Sequence, residues 1–89
     1  MTSKITPEHI DELMKRVTVR IHTGETPTPH VMAVAWLDGK FHLATAISKA
    51  VDPANFSKEL GIQYSTKDAL EEAKKKLWEL EGYKLYSQT

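Results

Sequence analysis

The chain has 89 residues, with twelve basic and twelve acidic side chains and no cysteine. That length makes one domain, spanning 1–89, with a thin core; the missing thiols exclude disulfides and cysteine-held zinc, and the balanced charge argues against general nucleic-acid binding. No apolar run approaches the ~20 residues of a membrane span and no signal-peptide pattern opens the chain, so a soluble, cytoplasmic protein without a membrane partner is expected.

The first element is announced by its cap. Thr6 suits an N-cap, Pro7 the first helical position, and Glu8 the positive end of the helix dipole. Ile5 and Ile10 occupy the two staple positions. Ile10, Leu13, Met14 and Val17 follow at helical spacing, which predicts a helix over 6–16.

From Val17 the period becomes two: Val17, Val19 and Ile21 alternate with Thr18, Arg20 and His22, the pattern of a half-buried strand. Residues 23–29, with Gly24, Pro27 and Pro29, read as a loop. His30 to Leu37 is the second strand, Asp38-Gly39 a two-residue hairpin turn, and Lys40 to about Ser48 the third strand. A strict two-residue loop sets Leu37 against Lys40, Trp36 against Phe41, Val34 against Leu43 and Met32 against Thr45. One face then carries Met32, Val34, Trp36, Phe41, Leu43 and Ile47 as core. The other carries Val31, Ala33, Ala35 and Leu37 beside His42, Ala44 and Ala46.

Val51, Asp52 and Pro53 repeat the staple, cap and N1 logic, with Phe56 as the staple partner and Gly61 ending a short helix. Ser65 and Asp68 form a capping-box pair that opens a long helix, with Ala69, Leu70, Ala73, Leu77 and Leu80 as its buried stripe. Gly82 suits its C′ position, and Lys84 to Tyr86 reads as an edge strand or docked tail. The expected class is α+β: an N-terminal helix, a three-stranded antiparallel sheet, a short helix and a long C-terminal helix.

Candidate chemistry is sparse. The four histidines show no HxH or HxxxH spacing, so no metal site is expected. No serine sits in a glycine-flanked elbow and the glycines are scattered at turns, so neither a hydrolase nor a phosphate loop is indicated. No cofactor is expected, and the protein is read as a binder rather than an enzyme. Lys74, Lys75 and Lys76 follow Glu71 and Glu72 at pairing distance on a wet helix face. Phe56, Trp78, Tyr83 and Tyr86 cluster in the last third with Asn55, Lys58 and Lys84. They staple helices to the sheet or, with amide and ammonium groups, suit a stacked nucleobase and its phosphate. Two apolar sheet faces exceed what so short a chain can cover, and the alanine-centred face admits a helix or another subunit closely. A homo-oligomer, dimer or tetramer, is therefore expected.

The succession Val51-Asp52-Pro53-Ala54-Asn55-Phe56, Glu59-Leu60-Gly61, Asp68-Ala69 and Lys76-Leu77-Trp78-Glu79-Leu80-Glu81-Gly82-Tyr83-Lys84-Leu85 resembles the small tailed-phage proteins of the gp-forty-nine/gp-sixty-six type. The hairpin and the opening helix fit that family more loosely. Many members carry a cysteine and a glycine in the third strand, around Ala44 to Ala50; this chain has neither, so no site built on them carries over. The resemblance extends to the anti-CBASS sponges, which bind a cyclic dinucleotide defence signal such as cyclic GMP-AMP and sequester it intact. It implies a phage immune-evasion protein in the cytoplasm of the infected bacterium, with a ligand held between subunits. Asn55, Tyr83 and Lys84 are the contacts expected, with Arg20 and Lys49 as further cations. The alternative is a phage early protein that binds and inhibits a host protein.

Overall fold

The computed structural model describes residues 4–50 and 53–88. The Thr6 hydroxyl accepts the His9 amide at 3.2 Å and Pro7 opens α1, Pro7–Met14. Ile10 is fully buried and ties α1 to the core. Strands β1 (Val17–Gly24), β2 (His30–Leu37) and β3 (Phe41–Lys49) form an antiparallel sheet in that order. A 3-10 turn, Pro53–Asn55, leads into α2, Lys58–Ser87. The α+β class holds.

The Asp38-Gly39 turn is present, with φ of 55° and 69°, the left-handed pair that matches the twist of a hairpin. Arg16 Nε donates to Asp38 Oδ1 at 2.9 Å and fastens the turn to the end of α1. The register differs from the expected one. Lys40 also belongs to the loop, so Leu37 pairs with Phe41, and Trp36 pairs with His42. Ala35 then pairs with Ala44, leaving Leu43 as a bulge, and beyond it Val34 faces Thr45 and Met32 faces Ile47.

That bulge re-sorts the two faces. Leu43 swings onto the side of Ala33, Ala35 and Ala44, and these four pack with Ile10, Ala69, Ala73 and Leu77 in the core. The alanine face is therefore the one the helix covers. Met32, Val34 and Trp36, expected as core, lie on the other face, which no helix of the described residues covers; Val34 is buried there all the same, Met32 and Trp36 are half-buried, and Phe41 and Ile47 are about half exposed.

The C-terminal half differs in one respect: there is a single 30-residue helix where two were expected. Its N-cap is Ser57, whose Oγ accepts the Leu60 amide at 3.3 Å. The expected Val51 and Asp52 staple and cap fall outside the described residues. Gly61 does not stop the helix; it lets it approach the sheet, because a Cβ there would lie 3.1 Å from Val31 Cγ2 and 3.2 Å from the Phe56 ring. Ser65 is no cap either. It is buried, and its hydroxyl donates to the Gly61 carbonyl at 2.7 Å, so its polarity is satisfied within the helix. Gly61, Ser65, Ala69, Ala73 and Leu77 form a stripe at every fourth residue, small from Gly61 to Ala73, that seats the helix on the alanine face. Gly82 and the Lys84 to Tyr86 segment are helical as well, so neither a C′ glycine nor an edge strand exists there.

The Asp38 carboxyl sits below its ordinary value because it accepts from Arg16; the exposed pair is worth little. Its sign is still testable. A group with a depressed folded pKa contributes above its unfolded pKa and loses that contribution as pH falls through the folded one. The thermal midpoint gap between the protein and Arg16→Gln should be constant above pH ~5 and close as pH drops below 3.8.

Candidate functional site

The uncovered sheet face is built by strand alternation. Its side chains form four cross-strand rows: Thr18, Trp36 and His42; Arg20, Val34 and Thr45; His22, Met32 and Ile47; then Gly24, His30 and Lys49. With adjacent same-face rows ~6.8 Å apart and strands ~4.8 Å apart, the face measures on the order of 20 × 10 Å.

The floor is apolar and the rim is basic. Met32, Val34, Trp36 and Ile47 make the floor, with Val34 only 7% exposed. Trp36 and His42 meet edge-on, ring centroids 5.5 Å apart and planes at 73°, and His42 Nε2 hydrogen-bonds Thr45 Oγ1 at 2.7 Å. His30 Nδ1–H donates to the Thr28 carbonyl at 2.8 Å, which orients the ring and leaves Nε2 for another partner. Arg20, His22 and Lys49 are exposed. No aspartate or glutamate occurs in any of the three strands; among the described residues every carboxylate belongs to a helix, turn or loop. The zero net charge therefore conceals a sheet that carries only cations.

At the end of β3 the face meets an open groove of about 300 Å³ beside the start of α2. Lys49, Asn55, Phe56, Ser57, Leu60 and Tyr64 line it. Lys49 thus belongs both to the basic face and to the groove, where it joins Asn55 and an aromatic ring, Tyr64, 57% exposed.

The five residues singled out from the sequence fall in three places. Arg20 stands in the middle of the basic face, and Lys49 and Asn55 line the adjoining groove. Tyr83 and Lys84 lie at the other end of α2. Twenty-three residues separate Gly61 from Lys84, about 35 Å at helical rise. Lys84 lines a separate groove with Ile5, His9, Glu81 and Leu85, and the Tyr83 ring lies 6.4 Å from that of Tyr86. One chain does not bring Tyr83 or Lys84 to a ligand held by Arg20 and Lys49. His30 and His42, set on opposite faces by the expected register, share the basic face.

Trp36, His42 and Tyr64 were not among the expected contacts. The absence of carboxylates from all three strands was the available signal for the face. Lys75 pairs with Glu72, as the spacing predicts, while Lys76 turns instead to Glu79 and Lys74 reaches Asp11 of α1 at 3.7 Å. Among the described residues no group of three or more histidines and carboxylates is placed to hold a metal ion, and no helix is long and apolar enough to cross a membrane.

Chemically, the face offers a ring for stacking, a guanidinium suited to bidentate contact with phosphate, and imidazole donors and acceptors. The profile of the phage protein (N4 Gp49/phage Sf6 gene 66) family matches residues 5–89. No curated protein and no solved structure matches the chain significantly.

Proposed function

Because the chain belongs to the N4 Gp49/phage Sf6 gene 66 family of phage proteins, we propose that it is an immune-evasion protein of the infected bacterial cytoplasm that binds a cyclic dinucleotide defence signal, such as cyclic GMP-AMP, and sequesters it without cleaving it. The observation that carries this reading is the carboxylate-free sheet face, with Trp36 on its floor and Arg20, Lys49 and three histidines around it. Phosphodiesters need cations and nucleobases need flat apolar partners, and the face provides both within the span of two nucleosides. It is too short to track a long strand, and the acidic residues on the helices disfavour an extended polyanion. Sequestration asks for tight stoichiometric binding and no turnover, which suits a face with no metal cluster or activated nucleophile.

The test is a thermal-shift series against cyclic dinucleotides and trinucleotides, with a single-stranded oligonucleotide as control and the ligand analysed after denaturation. At a hundredfold excess over Kd a bound ligand adds ~2.7 kcal/mol of stability, a shift of roughly 10–20 °C in a domain this small. A large shift from one cyclic nucleotide, recovered intact, supports the sponge; recovery of a cleaved product makes the protein an enzyme. No shift, together with one host protein captured stoichiometrically, favours the inhibitor of a host protein. Within the sponge reading, Trp36→Ala should weaken binding by ~1–3 kcal/mol, the range for loss of one base stack, as read by titration calorimetry.

A further inference from the structure

Gly82 is a position of α2 whose residue the single chain does not explain. Glycine inside a helix weakens it relative to alanine, unless something needs the missing side chain. At Gly61 the sheet needs it. At Gly82 a Cβ would meet no atom within 4 Å.

The glycine lies where α2 runs past the sheet. Burial along the helix stops at Leu77, and none of residues 78–88 is buried. The molecule is 57 Å long and 20 Å wide, with a radius of gyration of 16.0 Å; a compact chain of this length would have ~12 Å. One side of this arm meets the start of α1, through His9 and Glu81 and the groove beside Ile5 and Leu85. Gly82 points away from that contact. Trp78 and Tyr86 stand one turn before and after it, with Glu79 and Tyr83 alongside. Tyr83 and Tyr86 are 70% and 75% exposed.

We propose that this face docks a second copy of the chain, the two α2 arms crossing antiparallel at Gly82. The missing side chain leaves a notch between two rings, and the same face carries rings that fill such a notch. A two-fold axis through the crossing sets Trp78 of each copy near Tyr86 of the other, so both copies supply and receive a ring in one contact. Charge selects this face over the other exposed one. Along the arm beyond Leu77, Glu79 is the only ionised group on this face, and its carboxylate lies 3.9 Å from Lys76. Pairing two basic sheet faces would instead oppose Arg20 and Lys49 with their own copies. The crossing gives Tyr83 a role that its distance from the sheet face denies it within one chain, and it does not depend on what the sheet face binds. Arms this short bury less than the ~800 Å² per partner of a standard interface, so the dimer is a weak, reversible one.

Sedimentation equilibrium of the full chain, from low to high micromolar concentration, should show the mass doubling. Gly82→Leu fills the notch while favouring the helix, so the isolated copy should fold at least as well; its thermal midpoint at high dilution should rise and its dimerisation weaken by about tenfold or more. Gly82→Ala should do both to a smaller degree. A protein monomeric throughout the range, or a Gly82→Leu variant that dimerises like the parent, would overturn the proposal.

Discussion

Replacing Ala69 with leucine should cost about 3 kcal/mol, a large part of what holds this fold together. A domain of 89 residues has roughly 4–13 kcal/mol in total. Leucine is as good a helix former as alanine to within a few tenths of a kcal/mol, so the change leaves α2 itself intact. What it alters is the distance between helix and sheet. Ala69 is fully buried, as are Ala33 and Ala35 on β2. Three more carbons have nowhere to go unless the helix lifts, and lifting loses contact along the stripe from Gly61 to Leu77. Small residues elsewhere in the stripe give the same expectation in milder form. Lys75→Leu, on the solvated side of the same helix, should change stability by less than ~0.5 kcal/mol. Urea denaturation of both variants reads the difference. Equal midpoints for Ala69→Leu and the parent protein would mean the helix does not sit this closely on the sheet.

The same stripe explains why α2 was hard to read in the sequence. Gly61 and Ser65 have the residue types of a helix stop and a helix cap, and local chemistry assigns them so. Their actual job is to be small at a contact that only the folded chain creates, and the tertiary packing offsets the ~1 kcal/mol that Gly61 costs the helix. Features set by neighbouring residues were legible: the Thr6-Pro7 start, the alternation of Val17, Val19 and Ile21, and the turn at Asp38-Gly39. The bulge at Leu43 was not, because the apolar spacing of Phe41 and Leu43 mimics an unbroken strand. The adjacency of Leu43 and Ala44, followed by polar Thr45, marks the break only in retrospect. That bulge decides that Leu43 joins the covered face of the sheet and its core. Arg20 and Lys49 could be picked out as strand cations with no nearby acid. Tyr83 and Lys84 were drawn in by nearness along the chain, which a straight helix turns into distance.

Arg20→Glu should lower affinity for the cyclic dinucleotide at least a hundredfold, ~2.7 kcal/mol, with the fold unchanged. Arg20 is exposed, in the second of the four rows, opposite Val34 of the floor. No carboxylate shares its face, so in the parent protein nothing competes with a phosphate for its guanidinium. Reversal does two things: it removes the bidentate donor and introduces the only anion on the face. A unit charge 4 Å from a phosphate is worth ~4 kcal/mol at the effective dielectric of a protein surface, and salt reduces it. A hundredfold loss allows for that screening. Lys75→Glu provides the control, since it makes the same change in net charge on the outer side of α2 and should leave affinity within about twofold. If both reversals weaken binding alike, the protein's field acts at long range and the face makes no contact. If Arg20→Glu binds as well as the parent while Lys49→Glu does not, the ligand occupies the groove of Lys49, Asn55 and Tyr64 alone. Loss at both positions requires a ligand that spans the step from sheet to groove, which two bases joined by two phosphates are long enough to do.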